Sequence, residues 1–229
     1  MSSAAKVCVV TGGSSGIGAA IGERFFAAGY HVVSCSRRSS AAELPQEGRR
    51  RLSRAVDVAD PQALTSFVQD TAAEFGRIDV LVNNAGNAPR RPVAELPLAE
   101  FEAAVAVHIR AVFVATQCVW PAMVSQGGGV IVNISSMASL APLPGFSVYG
   151  GCKAWINTFT KAIAEEGKPH RIRAFALALG AVDTPLLRSV APEFDPAAAL
   201  QPAAVAELAL QLCAESHAPL SGQTLPMIA

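Results

Sequence analysis

The chain has 229 residues, of which 51% are apolar and 16% are charged. An apolar share this high, with a charged share well below the usual value of about 25%, excludes a disordered chain and a coiled coil. The 18 basic and 18 acidic residues cancel to a formal net charge of zero, so no long-range field attracts nucleic acid or an anionic membrane. We therefore expect no nucleic acid and no membrane among its partners.

The amino-terminal segment and the cysteines indicate in which cellular compartment the protein is found. The first apolar run, Val7–Val10, is too short for the core of a signal peptide. The uncharged stretch 111–152 is interrupted by Pro121 and by the glycines 127–129, so we expect buried core rather than a membrane span. The five cysteines are odd in number and form no CxxC pair, which argues against a disulfide framework and a metal site. These features predict a cytoplasmic protein without a metal.

Short β-type runs alternate with segments of helical length along the chain. The predicted strands are residues 6–10, 31–35, 52–56, 80–82, 130–134 and 172–178. This alternation indicates a parallel sheet with helices on its faces, in one α/β domain spanning residues 1–229. Predicted helices cover Pro61–Phe75, which follows the cap residue Asp60, and residues 101–120 and 149–163. The last two are apolar on more than one side, which a dimer interface would cover.

A glycine-rich segment, TGGSSGIG, follows the first strand and opens a helix predicted to end near Ala28. Glycines let the backbone approach a pyrophosphate, and the amino end of a helix offers N–H groups and partial positive charge. The alternative is a tight strand-to-helix turn without a ligand, but the strand–turn–helix context favours a dinucleotide site. The candidate binding residues are Thr11, Gly12, Ser14, Ser15, Gly16, Ile17 and Gly18.

The second strand is followed by Ser36, Arg37 and Arg38, where an NAD site usually has an acidic residue for the adenine ribose. A guanidinium binds a 2′-phosphate bidentately and stacks on adenine. Arg37, supported by Ser36 and Arg38, therefore predicts a preference for NADP(H) over NAD(H). The alternative is a pair of solvated surface arginines.

Further motifs follow in the order found in the short-chain dehydrogenase/reductase family, and the chain resembles the single-domain branch of that family over nearly its whole length. The matching segments are Thr11–Gly18 (TGxxxGxG), Asp57-Val58, Asn83–Gly86, Asn133–Ser136 and Tyr149–Lys153 (YxxxK). The resemblance implies a Rossmann-type, doubly wound parallel sheet in three layers (α/β/α). It also implies an oxidoreductase that transfers a hydride between NADP(H) and a carbonyl or secondary alcohol. In such an enzyme Asp57 and Val58 contact adenine, and Asn83–Gly86, including Asn84, Ala85 and Gly86, line the cofactor cleft.

The resemblance assigns the chemistry to Ser136, Tyr149 and Lys153. Tyr149 and Lys153 are four residues apart, so a helix places them one turn apart on the same face. A nearby cation favours the phenolate and lowers the pKa of the phenol from about 10. By resemblance, Lys153 also binds the nicotinamide ribose, Ser136 hydrogen-bonds the substrate oxygen and Tyr149 exchanges a proton with it. The alternative is an ordinary surface pair, against which Ser136, thirteen residues upstream of Tyr149, argues.

Two positions depart from the family's pattern. His108 stands where the family usually has an asparagine whose backbone carbonyl holds a water in a proton relay to the lysine. Because imidazole titrates near neutrality, His108 is either a further proton-transfer residue or a buried, hydrogen-bonded histidine. The family's Pro-Gly turn is Leu179-Gly180 here, which leaves the turn less fixed and puts cofactor affinity in question. By resemblance Gly180, Val182 and Thr184 still lie along the nicotinamide end of the cofactor.

The substrate pocket is expected between residues 137–146, the segment after Gly86 and a loop over about residues 180–200. Many residues in these three segments are apolar, which favours an apolar small-molecule substrate such as a ketone, aldehyde or ketoacyl compound. Arg90, Arg91 and Arg188 are the charged exceptions, and they either meet an anionic substrate or are solvated surface residues.

The chain ends without the Gly-Gly tail that the family usually carries, so we expect a homodimer formed through the long helices, with a homotetramer as the alternative.

A catalytically weak NADP-binding regulatory protein is the second function considered, motivated by His108 and Leu179. The presence of Ser136, Tyr149 and Lys153 argues against it. A sugar-nucleotide epimerase is disfavoured by the glycine spacing and by the lack of chain for a separate substrate domain.

Overall fold

A computed structural model of the chain describes residues 5–38, 42–46 and 48–229, with the backbone alone for 42–46. Within these residues, eight strands form one sheet. The strands are β1 (Val7–Thr11), β2 (His31–Ser36), β3 (Ala42–Gln46), β4 (Arg49–Ala55), β5 (Val80–Asn83), β6 (Gly129–Ser136), β7 (Ile172–Leu179) and β8 (Thr224–Met227). The helices are α1 (Gly16–Ala27), α2 (Pro61–Phe75), α3 (Leu98–Val105), α4 (Ala111–Ser125), α5 (Ser147–Gly167), α6 (Pro185–Val190) and α7 (Pro202–Gln211).

The sheet has the strand order β3-β4-β2-β1-β5-β6-β7-β8, and the chain winds outward from β1 in both directions. Neighbouring strands are parallel except at the β3–β4 edge, where the pairing is antiparallel. The predicted doubly wound parallel sheet is therefore confirmed, with β3 as an edge strand that the sequence analysis missed. Pro45 lies in β3, a position that the unpaired side of an edge strand tolerates.

Strand residues alternate between two apolar cores, one on each face of the sheet. Val7 and Val9 belong to the core on one face, while Cys8 and Val10 belong to the core on the other. Helices α2, α4 and α5 complete the first core, and α1 and α7 complete the second. The result is the predicted three-layer α/β/α arrangement.

Helix α2 coincides with the predicted helix because its end signals are local. The carboxylate of Asp60 accepts hydrogen bonds from the backbone N–H groups of Gln62 at 2.9 Å and Ala63 at 3.1 Å. Pro61 occupies the first helical turn, and Gly76 ends the helix in the left-handed region at φ 72°.

The helical segment predicted over residues 101–120 is longer and is interrupted. It starts at Leu98 and ends at Ser125, with a wide turn over Ala106–Arg110 in which the Ala111 N–H donates to the Ala106 carbonyl. By length and composition alone, Leu98–Ser125 would be able to cross a membrane. In the part of the chain that the structure describes, 44% of its apolar window is buried.

Candidate active site

A cleft of about 800 Å³ opens at the carboxyl ends of β1, β2, β5, β6 and β7. Parallel strands present their ligand sites at this edge, beside the point where the chain reverses its winding direction. The predicted site residues on its surface are Gly12, Ser14, Ser15, Gly16, Ile17, Ser36, Arg37, Arg38, Asp57, Val58, Asn84, Ala85, Gly86, His108, Ser136, Tyr149, Lys153, Gly180, Val182 and Thr184. The structure therefore brings most of the predicted site residues together.

Two predicted cofactor-binding residues, Thr11 and Gly18, lie beneath the glycine-rich turn rather than on the cleft surface. The Thr11 hydroxyl accepts hydrogen bonds from the backbone N–H groups of Asn84 and Ala85, both at 3.1 Å. A Cβ on Gly18 would lie 2.3 Å from the Gly12 carbonyl oxygen, so only glycine fits there. Both residues shape the turn. Asn83 was also predicted to line the cleft, but it is buried and its amide donates to Asn133 at 2.8 Å.

The glycine-rich turn keeps side chains away from the start of α1. Gly12 has φ +71° and Gly16 has φ +54°, a region that favours glycine. Ser15 is the N-cap of α1 but makes no side-chain capping hydrogen bond, unlike Asp60 at α2. The first N–H groups of α1 therefore face the cleft without a capping side chain, which is the chemistry that binds a phosphate group.

The arginines after β2 differ in their ion pairing from the arginines near the expected substrate pocket. Arg37 and Arg38 are exposed on the cleft rim, and neither has an ion-pair partner among the residues that the structure describes. By contrast, each of the three arginines considered for an anionic substrate is paired with an acid. These pairs are Arg90 with Glu193 at 2.9 Å, Arg91 with Glu100 at 3.1 Å and Arg188 with Asp183 at 2.8 Å.

Ser136, Tyr149 and Lys153 converge where β6 meets α5. Ser136 is the last residue of β6; its hydroxyl accepts a hydrogen bond from the Ala138 N–H at 3.1 Å and is close enough to the Tyr149 phenol to lower the pKa of that group. The Lys153 ammonium lies 5.6 Å from the centre of the Tyr149 ring and donates to the Ile134 carbonyl at 2.7 Å. Ser135 is buried and donates to the Lys153 carbonyl at 3.3 Å, so it has a structural role beside the site.

The electrostatics of Tyr149 differ from the expectation that a cation lowers its pKa. Burial raises the pKa of the Tyr149 phenol above its usual value of 10, and the hydrogen bond with Ser136 only partly opposes this. Burial also lowers the pKa of Lys153 from 10.5 to about 8. In the structure the phenol is therefore neutral and protonated near pH 7.

His108 is 1% exposed and lies against Tyr149, with the ring centres 5.6 Å apart in an edge-to-face arrangement. Its Nε2 lies 2.8 Å from the Asn87 carbonyl oxygen and 3.0 Å from Asn87 Oδ1. Burial and the nearby charge of Lys153 lower the pKa of His108 to about 3. The expected titration near neutrality is therefore wrong, because the imidazole stays neutral at physiological pH.

Asn87 was not among the residues singled out from the sequence, whereas Phe146 lies in the predicted pocket segment 137–146. Asn87 directly follows the Asn83–Gly86 motif, but its partner His108 is 21 residues away, which no local pattern reveals. Phe146 packs against Tyr149 with ring centres 5.8 Å apart.

The mouth of the cleft is apolar. Met137, Leu143, Phe146, Leu186, Leu187 and Phe194 line it, whereas Leu140 does not. Part of the predicted loop over residues 185–200 is helical, because the Thr184 hydroxyl accepts from the Leu187 N–H and caps α6. In the part of the chain that the structure describes, no group of three or more His, Cys, Asp or Glu residues is placed to hold a metal ion.

Comparisons with known proteins agree with this geometry. Residues 6–194 match the family model described as short chain dehydrogenase. The chain is 38% identical over 192 residues to the 2-(R)-hydroxypropyl-CoM dehydrogenase of Xanthobacter autotrophicus, covering 79% of this chain and 76% of that protein.

Two solved structures are similar over 97% of this chain and 96% of theirs, each with a TM-score of 0.87. One is a 3-ketoacyl-(acyl-carrier-protein) reductase from Brucella melitensis complexed with NADH, at 30% identity. The other is a short chain dehydrogenase from Burkholderia cenocepacia in complex with NADP, at 29% identity.

Proposed function

The chain belongs to the short-chain dehydrogenase/reductase family, and on that premise we propose that it transfers a hydride between NADP(H) and a carbonyl or secondary alcohol group of an apolar small molecule. The observation that carries the proposal is the convergence of Ser136, Tyr149 and Lys153 beside the glycine-rich turn.

The residues present fit a nicotinamide dinucleotide. Gly16 and the start of α1 offer backbone N–H groups to a pyrophosphate, since Ser15 makes no side-chain capping hydrogen bond, whereas the Gly12 N–H is donated to the Cys35 carbonyl at 2.8 Å. Asp57, Val58, Val182 and Thr184 also line the cleft, and by family resemblance the first two would contact adenine and the last two the nicotinamide end of the cofactor. When bound, the nicotinamide supplies or accepts the hydride.

Ser136 and Tyr149 supply the proton chemistry. A neutral phenol donates its proton to a carbonyl oxygen during reduction, and the Ser136 hydroxyl hydrogen-bonds the same oxygen. Lys153 places a cation beside the phenol, which stabilises the phenolate left after proton transfer. The phenol of Tyr149 is protonated near pH 7, which is the form that can donate a proton to a carbonyl oxygen.

The preference for NADP(H) rests on Arg37 and Arg38. Their charge is available on the cleft rim, since neither forms an ion pair with a described residue. Structural neighbours bind either NADH or NADP, so the fold does not decide between the two cofactors. The local chemistry supports NADP(H), because a guanidinium matches a 2′-phosphate and the residues directly after β2 are basic.

An apolar substrate fits the side chains at the mouth of the cleft. Arg90, Arg91 and Arg188 are each paired with an acid, so an anionic group on a substrate would have to displace a carboxylate. The 2-(R)-hydroxypropyl-CoM dehydrogenase and the 3-ketoacyl-(acyl-carrier-protein) reductase that this chain resembles support alcohol and ketone chemistry. A ketone, aldehyde or ketoacyl compound with an aliphatic or alicyclic body is the substrate class we favour.

We propose that residues 1–229 act as one domain, with the substrate loop at about residues 180–200, and that the protein is a cytoplasmic homodimer. Helices α4 and α5 present an apolar outer face in which Phe113 is 45% exposed. Phe113 packs on Phe159, which stacks on Trp155 with ring centres 4.6 Å apart. A second copy would cover this face, with a homotetramer as the alternative.

The test is to follow NADPH and NADH oxidation by the purified protein with apolar ketones, aldehydes and ketoacyl thioesters, alongside Tyr149→Phe. Turnover that requires Tyr149 and prefers NADPH supports the proposal. Tight NADPH binding with no turnover on any substrate would instead favour a catalytically weak NADP-binding regulatory protein.

A further inference from the structure

Ser136 reaches the cleft from the end of β6, and a short turn over Met137–Ser139 follows it. The Ala138 N–H donates to the Ser136 hydroxyl oxygen at 3.1 Å, and the Ser139 hydroxyl donates to the Ser136 carbonyl at 2.5 Å. The first bond occupies an oxygen lone pair and leaves the hydroxyl proton of Ser136 available to donate. The direction of this hydroxyl therefore depends on the turn that follows it.

A side chain of α5 holds this turn from outside. Asn157 lies about two helical turns after Tyr149, and its Nδ2 donates to the Ser139 hydroxyl oxygen at 2.8 Å. A chain of hydrogen bonds thus runs from Asn157 through Ser139 to the Ser136 carbonyl. The helix that carries Tyr149 is in this way tied to the strand end that carries Ser136.

The turn also packs directly on the backbone of α5. A Cβ on Gly150 would lie 2.6 Å from the Ala138 carbonyl oxygen and 3.5 Å from the Cβ of Pro142, so a side chain there would push the turn away. Close packing at Gly150 and the hydrogen bond from Asn157 hold the turn at two points of one helix.

Asn157 is unfavourable for stability in one respect. Its Oδ1 is buried and has no hydrogen-bond partner among the described residues. A buried acceptor without a partner destabilises the folded state, so an apolar side chain of similar size would be more stable there. Departures of this kind from the most stable choice are expected at functional sites.

We infer that Asn157 and Ser139 are positioning residues, which hold the Ser136 hydroxyl beside the Tyr149 phenol by fixing the carbonyl of Ser136. Neither Asn157 nor Ser139 is among the described residues that line the cleft, so both act through Ser136. The inference rests on the proposed function, since Ser136 and Tyr149 bind the same substrate oxygen in that reaction.

Two substitutions interrupt the chain of hydrogen bonds at different points. Ser139→Ala removes the donor to the Ser136 carbonyl, and Asn157→Leu removes the donor to Ser139 with little change in side-chain size. We expect each variant to lower kcat by about tenfold, the effect of one hydrogen bond, with similar KM values and NADPH affinity. Because Asn157 acts through Ser139, the double variant should match Ser139→Ala instead of losing about a hundredfold.

Thr65→Val is the matched control. The Thr65 hydroxyl also donates to a backbone carbonyl, that of Pro61 at 2.7 Å, but it lies in α2 and does not line the cleft. Its loss should leave kcat at the wild-type value.

The melting temperature separates positioning from a purely structural role. Asn157→Leu also deletes the unpaired Oδ1, so its melting temperature should equal or exceed that of the wild type while kcat falls. A kcat and a melting temperature that fall together overturn the inference, as does a wild-type kcat in Ser139→Ala. Additive losses in the double variant also overturn it, because they would mean that the two residues act independently.

A readout that needs no substrate uses the two tyrosines of the chain, Tyr30 and Tyr149. In NMR spectra of protein with isotope-labelled tyrosine, Tyr149→Phe assigns the two signals, and a pH titration follows ionisation of the Tyr149 phenol. The hydrogen bond with Ser136 lowers the pKa of Tyr149, so Ser139→Ala should raise this pKa in the same direction as Ser136→Ala.

The other polar groups that face Tyr149 are His108 and Lys153, and both are unchanged in these variants. A Tyr149 signal that responds to Ser136→Ala but not to Ser139→Ala overturns the inference. This outcome does not depend on turnover. A wild-type protein that reduces no substrate would contradict the proposed function, while the Tyr149 signal would still report whether Ser139 positions Ser136.

Discussion

Lys153 holds its ammonium 5.6 Å from the centre of the Tyr149 ring while donating a hydrogen bond to the Ile134 carbonyl at 2.7 Å. The side chain is thus anchored to β6 at one point and placed beside the phenol at another. Lys153 is only 4% exposed, so its charge is stabilised mainly by this carbonyl. Burial of this cation lowers the free energy of unfolding by an amount that can be measured.

The first prediction concerns how the buried Lys153 makes the free energy of unfolding depend on pH. The folded pKa of Lys153 is about 8 against 10.5 for an ordinary lysine, so between these pH values the unfolded chain binds more protons than the folded one. The free energy of unfolding of the wild-type protein should therefore rise with pH across this window, relative to that of Lys153→Met, by about 3 kcal/mol. Urea unfolding of both proteins at about pH 7.5 and about pH 10.5 measures this difference, because these pH values lie close to the folded and unfolded pKa values of Lys153.

Comparing the two proteins is essential, because buried thiols act in the opposite direction. Burial raises the pKa values of Cys8 and Cys35, so these groups destabilise the folded state as pH rises. Their contribution is common to both proteins and cancels in the difference. A difference that stays constant with pH would show that Lys153 keeps an ordinary pKa.

The second prediction concerns the proton donor. Tyr149→Phe removes the phenolic hydroxyl and should lower kcat by about a thousandfold, while the affinity for NADPH changes little. Ser136→Ala removes a hydrogen-bond donor to the substrate oxygen and should lower kcat by about a hundredfold. Cofactor fluorescence measures binding, and NADPH oxidation measures turnover. A Tyr149→Phe protein with the wild-type rate would place the chemistry elsewhere.

The third prediction concerns cofactor choice. Arg37→Asp should lower the ratio of kcat/KM for NADPH over NADH by about 10- to 100-fold, because a charge-assisted contact with the 2′-phosphate is lost. Arg171→Asp is the matched control, since it makes the same charge change at an exposed site before β7, at the opposite edge of the sheet from the cleft. If both variants changed the ratio equally, the effect would come from net charge rather than from a specific contact.

The fourth prediction concerns the glycine-rich turn. An Ala side chain at Gly18 would place its Cβ 2.3 Å from the Gly12 carbonyl oxygen and 2.5 Å from Asn84 Nδ2. Gly18→Ala should therefore destabilise the protein by about 1–3 kcal/mol and weaken NADPH binding. Gly151→Ala is the control, because no atom lies within 4 Å of its added Cβ and α5 should gain up to about 1 kcal/mol. Thermal unfolding of the two variants compares them directly.

The fifth prediction concerns assembly. Phe113→Glu puts a charge on the apolar face of α4 and should shift a homodimer toward monomer in sedimentation velocity runs across a dilution series. Val93→Glu is a control on an exposed apolar residue outside α4 and α5, with 77% of its surface accessible. Unchanged sedimentation of Phe113→Glu would exclude this face as the interface.

Local signals explain why much of the fold was predictable. Asp60, Pro61 and Gly76 mark both ends of α2 within a few residues of chain, so its bounds follow from the sequence. The strand β3 carries no comparable signal, because its pairing with β4 depends on a hairpin contact at the sheet edge. The wide turn at Ala106–Arg110 was missed for a related reason, since its apolar pattern is that of an ordinary helix.

Strand–helix alternation predicted the parallel sheet, and the glycine spacing and the four-residue spacing of Tyr149 and Lys153 predicted the residue types of the cleft, because these signals lie within short stretches of chain. The charge states and hydrogen-bond partners of the site residues could be read only from the folded structure. The pKa values of His108 and Lys153 depend on burial by segments that are distant in sequence. The hydrogen bond between His108 and Asn87 joins a helix to a loop. Desolvation and long-range hydrogen bonds arise only when the chain is folded, so no local pattern reports them.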